Sequence, residues 1–268
     1  GVIGGLGPLR PGMTLAALDG AIERAFKLRR LKAVALSVNS PGGAPAQSDL
    51  IARRIRDLAE EKEVPVFAFC EDVAASGGYW LACAADEIFA RPTSIIGSIG
   101  VISTGFGFPG LLERIGVERR VYTAGEKKSL LDPFRAEDAK DVKRLKAIQK
   151  DIHESFKALV RERRGERLKA GERDLFSGEF WTGKKALELG LIDGLGEMRQ
   201  VMRERYGEKV VLKRVDSARP WWRRRLGFGG FGGLNLPGAP AIRPAPQDWV
   251  TGLLAAVEER ALWSRFGL

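Results

Sequence analysis

VPVFAFCEDVAASGGYWLACAADEIFA, residues 64–90, carries the pattern on which the fold turns. Its opening VPVFAFC is a near-continuous apolar run of strand length, the composition of a strand buried on both faces, as in a parallel sheet covered by helices. DVAASGG then supplies a turn of small residues, and YWLACAADEIFA reads as a buried helix running into another short strand. Strand, turn, helix and strand in succession predict an α/β fold with a largely parallel sheet.

The same alternation continues on both sides. AVALSV at 33–38 is a second buried strand, ending at the turn sequence NSPGG, 39–43. Leu15, Leu18, Ile22, Ala25 and Phe26 mark one face of a helix after Gly12, and a helix over about 46–62 turns Leu50, Ile51, Ile55 and Leu58 inward while exposing Arg53, Arg54, Arg56 and Asp57. Downstream, PTSIIGSIGVIS at 92–103 has glycines at hinge positions, LLERIGV reads as a helix and ERRVYTAG as a strand. From about 136 to 164 runs a long helix with an inward stripe of Val142, Leu145, Ile148, Ile152, Phe156 and Leu159. His153, the only histidine, falls beside Gln149 and Lys157 on the opposite face, a solvated position and a poor one for a general base. A helix-turn unit, SGEFWTGKKALELGLIDGLG at 177–196, follows, and VVLKRV at 210–215 closes a catalytic-sized domain over 1–216.

Beyond it the composition changes. Residues 217–247 are rich in Gly, Pro, Arg and aromatics, cannot bury a core of their own and are expected to be a flexible linker. A terminal amphipathic helix over 248–268 carries Trp249, Leu253, Ala256 and Val257 at helical spacing. It suits docking on the body or on a neighbouring chain; with Trp221, Trp222 and the arginines at 223–225 it also suits a peripheral membrane contact.

The bulk numbers narrow the function classes. A chain of 268 residues with 44% hydrophobic content has ample material for a core. Its 44 basic and 34 acidic side chains leave a net charge of +10, but the two signs are interleaved along helices such as AEDAKDVKRLKAIQKDIHESFKALVRERR, the pattern of solvated helix faces and not of a nucleic-acid surface. Cys70 and Cys83 both lie in apolar runs and read as core residues, not as a disulfide framework or metal cluster. No run reaches the roughly 18 to 20 apolar residues that span a bilayer. The chain starts at GVIGG without a methionine or signal-peptide pattern, so a trimmed front holding a first strand, an anchor or an export signal is expected.

Three short stretches carry candidate chemistry. The glycine pair in NSPGG, Gly42 and Gly43, follows a buried strand; it serves either as a tight turn into the next helix or as a place where backbone N–H groups meet an oxyanion. Ser76 also follows a buried strand and opens a helix, so it is a candidate nucleophile, with the N–H of Gly77 beside it as a second oxyanion donor if the two strands are sheet neighbours. With the histidine remote, the base has to come from another side chain, and a lysine in suitable surroundings serves. YTAGEKKSLLDPF at 122–134 offers Lys127 and Lys128, which read equally well as exposed loop lysines.

Taken in order, NSPGG, DVAASGGYWLACAADEIFA, GSIGVI, YTAGEKKSLLDPF and FWTGKKALELGLID resemble the motifs of the signal peptide peptidase A family of serine peptidases, over about residues 10–215. The resemblance implies a ClpP/crotonase-type fold of repeated strand-strand-helix units and a Ser-Lys dyad without metal or cofactor. It assigns the nucleophile to Ser76, the general base to Lys128 with Lys127 as the fallback, and the oxyanion region to Gly42, Gly43 and Gly77. Ser98 in GSIGVI would be a hydroxyl that orients the lysine. The match is to the short, single-catalytic-domain form, which implies a ring-like homo-oligomer with the dyad completed across neighbouring protomers, a bacterial, membrane-associated location on either side of the bilayer, and signal-peptide remnants or unfolded polypeptides as substrates. Two other readings share these residues. A crotonase-type acyl-CoA enzyme would need a catalytic carboxylate, with Glu71 and Asp72 the acids nearest in sequence, and an inactive membrane-associated scaffold would use the aromatic-basic tail to bind partners.

Overall fold

The computed structural model describes residues 1–4, 12–125, 127–216, 257 and 259–267. Elements follow in the order α1 (Leu15–Phe26), β1 (Val34–Ser40), α2 (Pro45–Lys62), β2 (Val66–Ala75), α3 (Gly77–Ala82), β3 (Glu87–Ala90), β4 (Ile95–Gly97), α4 (Pro109–Arg114), α5 (Ala139–Arg164), α6 (Glu172–Leu175), β5 (Phe180–Thr182), α7 (Gly183–Glu188), β6 (Gly194–Leu195) and α8 (Met198–Tyr206). The α/β reading holds: one curled, mixed sheet carries helices on both faces. The linker and most of the terminal helix expected after 216 lie outside the described residues.

β2 is the spine of the sheet. β1 pairs with it in parallel along one edge, from Val34↔Val66 to Val38↔Cys70. Along the other edge its neighbour changes, with β3 running parallel to Phe67–Cys70 and β4 to Val73–Ala75. β6 extends β3 in parallel, and β5 closes on β4 antiparallel. Side chains alternate across a strand, so Val66, Ala68 and Cys70 join the main core with α2, α3 and α5, while Phe67 and Phe69 meet Phe89, Val201 and Met202 of α8 in a second one. A strand buried on both faces therefore has no polar alternation to show, which is why VPVFAFC reads as it does.

The register between β1 and β2 slips after Val38↔Cys70 and resumes at Ser40↔Ala74. The extra residues on β2 turn Glu71 and Asp72 outward, where Glu71 accepts from the Ser37 hydroxyl and Asp72 accepts from the Asn39 side-chain amide at 2.7 Å. This bulge interrupts an otherwise buried strand and re-aims its end toward α3.

Several expected elements differ. Residues 118–125, expected as a strand, form none and lie exposed. Leu50 is exposed on α2, and Ile148 is exposed on the first half of α5. Cys70 and Cys83 are free and buried, as read; burial pushes both thiols up, Cys83 to about 12, so neither is ionised near neutrality. No helix among the described residues is long and apolar enough to cross a membrane.

Candidate functional site

Ser76 stands at the junction of β2 and α3 with φ 51° and ψ −123°. A residue with a β-carbon is held in such a conformation at about 1–3 kcal/mol, and such strain concentrates where a side chain has to be presented. Its N–H donates to the Gly97 carbonyl at 2.8 Å, and its own carbonyl accepts from Trp80 N–H at 3.0 Å. β2 thus feeds straight into α3 through one strained residue, the geometry of a nucleophile on a sharp strand-to-helix turn. The helix itself is anchored by Tyr79, fully buried, whose hydroxyl donates to the Leu191 carbonyl at 2.7 Å.

The condition set for the two early glycines is met, since β1 and β2 are sheet neighbours. Gly42 lies against the serine: with φ 111°, a β-carbon there would stand 2.8 Å from that of Ser76 and 3.0 Å from the Gly77 nitrogen. Only glycine combines that dihedral with that approach. The donors then sort themselves. Gly42 N–H is taken by the Ser40 hydroxyl at 3.2 Å. Gly43 forms a parallel bridge with Ile3, in which Gly42 carbonyl and Ala44 N–H make the bonds. Gly43 N–H therefore faces the other way, 3.4 Å from where a β-carbon of Gly77 would be. Gly77 opens α3, so its N–H has no partner within the helix. Gly43 and Gly77 accordingly converge next to Ser76, while Gly42 supplies space.

Ser98 follows Gly97, whose carbonyl holds the Ser76 amide. It too has a positive φ, 53°, and is buried, with its N–H on the Glu179 carbonyl at 2.7 Å. Four of the sequence-selected residues, Gly43, Ser76, Gly77 and Ser98, thus come together on the segments that follow β1, β2 and β4.

Lys127 and Lys128 are not brought to this group. Both are exposed, in a turn where Lys128 N–H donates to the Gly125 carbonyl, and no hydrogen bond or ion pair joins either to Ser76 among the described residues. They sit on an excursion over 101–138 that includes α4. It is organised locally, by Arg119 on Asp132 at 2.8 Å and over the Phe134 ring, around an open cleft of about 450 Å³. Its apolar side chains are bare: Phe106 is 81% and Tyr122 90% exposed, and Ile102, Leu111 and Ile115 are also uncovered.

Three features of the neighbourhood escape sequence reading. Ser40 and Ser48 are buried hydroxyls behind the glycines, Ser48 lying 2.5 Å from the position of a Gly77 β-carbon. Arg164, at the end of α5, is buried and bonded to Asp193 and the Gly190 carbonyl. His153 is not on a solvated face: it is half-buried, with Nε2 3.1 Å from the Ile99 carbonyl. Its position three residues before Phe156 puts it only about 60° from that buried ring on a helix of 3.6 residues per turn, a flank that the pairing with Gln149 and Lys157 concealed.

Comparison with known proteins adds the following. The family model described as Peptidase family S49 matches residues 59–211, more than half of the chain. A protein of Arabidopsis thaliana named serine protease SPPA, chloroplastic, is 34% identical over 73% of this chain and 29% of its own length. Probable protease SohB of Haemophilus influenzae is 32% identical over 67% of this chain and 50% of its own length. A Brucella abortus protein named Na(+)/H(+) antiporter NhaA is 53% identical over 97% of this chain, a match that takes up 35% of that protein. The chain thus spans about a third to a half of the length of these relatives.

Proposed function

Because the chain belongs to peptidase family S49, the signal peptide peptidase family that its motifs resemble, we propose that it is a serine endopeptidase with a Ser-Lys dyad. In this reading it cleaves signal-peptide remnants or unfolded and membrane-associated polypeptides. The observation that carries it is Ser76 itself: a strained residue at a strand-to-helix junction, with Gly77 next to it and the Gly43 nitrogen 3.4 Å from where a Gly77 β-carbon would be. That arrangement is of use to a nucleophile that attacks a carbonyl and leaves an oxyanion.

In the proposed cycle the neutral amine of Lys128 removes the Ser76 proton as the oxygen attacks the scissile carbonyl. Gly43 and Gly77 N–H groups hold the resulting oxyanion, and the lysinium returns its proton to the departing amine. Water, deprotonated by the same lysine, then releases the acyl group and restores the serine. Lys127 stands in for Lys128 if the turn presents it instead.

The same reading explains the bare excursion. Contiguous apolar surface on an isolated chain points to a partner, and a ring of identical protomers would let one chain's 101–138 cover its neighbour and deliver Lys128 to that neighbour's Ser76. A ClpP/crotonase-type fold goes with this, supported by the parallel β1, β2 and β3 and the intervening α2 and α3. The acyl-CoA alternative is less well served, because Glu71 and Asp72 are turned outward and occupied by Ser37 and Asn39. A bacterial, membrane-associated location, by the aromatic-basic tail or by sequence before Gly1, belongs to the same proposal. The antiporter name of the Brucella protein is not carried over.

Hydrolysis of a fluorogenic peptide and of a denatured protein, measured alongside acyl-CoA turnover, tests the proposal. Lys128→Met is expected to lower kcat by about 10²–10⁴-fold, the range for a lost general base, with Lys127→Met within a few-fold of wild type. The opposite ranking would move the base to Lys127. Acyl-CoA turnover without peptide cleavage would establish the crotonase reading, and a protein that assembles but turns over neither substrate would leave the scaffold.

A further inference from the structure

α5 touches the candidate site at two points. Through Phe156 it stacks on Trp80, ring centroids 4.8 Å apart, and Trp80 belongs to α3, the helix that opens at Ser76. Three residues earlier on the same helix, His153 reaches the Ile99 carbonyl. Positions i and i+3 lie on neighbouring parts of one helix face, so a single stretch of α5 braces both the helix behind the nucleophile and the segment beside it.

That segment, residues 97–100, has little freedom and much to hold. Gly97 has φ 114° and its backbone is pressed on Trp181, whose ring would stand 2.8 Å from a β-carbon there. Its carbonyl receives the Ser76 amide, and Ser98 after it has φ 53°. The Ser98 N–H is tied to Glu179, and Gly100 N–H folds back on the Ser98 carbonyl at 3.0 Å. Ile99 is fully buried. Among the described residues no other donor reaches its carbonyl, and a carbonyl has no proton to offer, so in this contact the imidazole carries its hydrogen on Nε2.

We infer that His153 is a positioning residue of the active site: its Nε2–H holds the Ile99 carbonyl and so fixes residues 97–100, on which the Ser76 amide and the Ser98 hydroxyl depend. The inference deepens the peptidase reading and rests on it. His153 does not touch the reacting atoms and takes no proton in the reaction. It sets the place of a backbone carbonyl that shares a hydrogen bond with the nucleophile's own amide, and of the hydroxyl next in sequence. Small displacements of such groups reach the chemical step more than substrate binding.

Full-length wild type, His153→Leu and His153→Gln, with Ser76→Ala as the control, test it by steady-state peptide hydrolysis and thermal melting. Leucine fills the volume without a donor; glutamine restores an N–H at the end of a side chain of similar reach. His153→Leu is expected to lose about 10–100-fold in kcat, the effect of a sub-ångström to 1 Å displacement, with KM within about 3-fold of wild type. His153→Gln is expected to recover most of that loss. The inference is overturned if Leu and Gln behave alike, if KM rises while kcat stands, or if kcat falls only in step with Tm. Peptide hydrolysis that persists in Ser76→Ala is a different failure: it removes the dyad reading and the inference with it. A Ser76-dependent activity indifferent to His153 removes the inference alone.

Discussion

Ser76→Ala is expected to lower kcat for peptide hydrolysis by at least about 10³-fold, the scale on which acyl-transfer enzymes respond to loss of the nucleophile, without loss of thermal stability. Stability is the more discriminating part. Alanine keeps the β-carbon and hence the strain at φ 51°. Ser76→Gly removes it, and the roughly 1–3 kcal/mol stored in such a conformation outweighs the 0.5–1 kcal/mol entropic cost of glycine. The glycine variant should therefore be inactive and melt above wild type. A melting point at or below that of Ser76→Ala would mean that the strain is not held for the serine. Ser76→Ala also examines the division of the dyad between chains. In a ring with serine and lysine from different protomers, co-refolded Ser76→Ala and Lys128→Ala chains regain up to about a quarter of wild-type activity, since random assembly leaves that share of sites intact. A dyad within one chain regains none.

Arg164→Ala is expected to destabilise the fold by about 3–5 kcal/mol, the range for breaking a buried ion pair by removing one partner, or a fall of roughly 6–20 °C in Tm for a domain of this size. Arg164 Nε and Nη2 donate to the Gly190 carbonyl at 3.0 and 2.9 Å, and Nη1 to Asp193 Oδ2 at 2.7 Å; that oxygen also receives the Ile88 amide at 2.7 Å. One guanidinium thus ties the end of α5 to the α7–β6 connection and, through Ile88, to β3. Burial is the largest single influence and works against the charge on both partners, but it is outweighed by their hydrogen bond together with the neighbouring charges and, for Asp193, the Ile88 amide: the Arg164 guanidinium is held above its ordinary value and the Asp193 carboxyl below its own. A carboxyl depressed by folding stabilises the native state above its unfolded value, about 4, and that stability is lost as the pH falls through the lower folded one. The urea midpoint of wild type should consequently drop as the pH is taken below about 4, and Asp193→Asn, weaker at neutrality, should show a shallower drop. An equal acid slope in both proteins would put the acid sensitivity elsewhere.

Most of the architecture could be read along the chain, and for identifiable reasons. The first halves of β1 and β2 and the run IFA of β3 are mostly apolar because both faces of the sheet are covered there, so each appears as an apolar run near turn residues. Helices α1, α2 and α5 announced themselves through their stripes, although Leu50 and Ile148 sit at proper helical positions and still face solvent, while α8 was not expected. The segment at 118–125 reads as a strand, but a strand needs an edge to pair with, and that depends on where other segments end. For the candidate site, the resemblance named Ser76, Lys128, Gly42, Gly43, Gly77 and Ser98, and the serines and glycines lie close together because they follow strands that are neighbours in one sheet, whereas Lys128 lies on an exposed segment. The resemblance could not separate the two early glycines.

What the sequence determined by itself is whatever neighbours along the chain impose: the α/β class, the runs that form β1 and β2, the small-residue turn that carries Ser76, and the family its ordered motifs resemble. Only the tertiary structure decided that the Gly42 N–H is taken by Ser40 while that of Gly43 points away from Ile3, that Glu71 and Asp72 face away, that Ser76 is strained, and that the single histidine reaches the segment beside it. Those outcomes depend on backbone atoms supplied by remote stretches, such as Ile3 against Gly43, Gly97 against Ser76 and Ile99 against His153. A hydrogen bond is settled by distance and direction in space, which no spacing along the chain encodes.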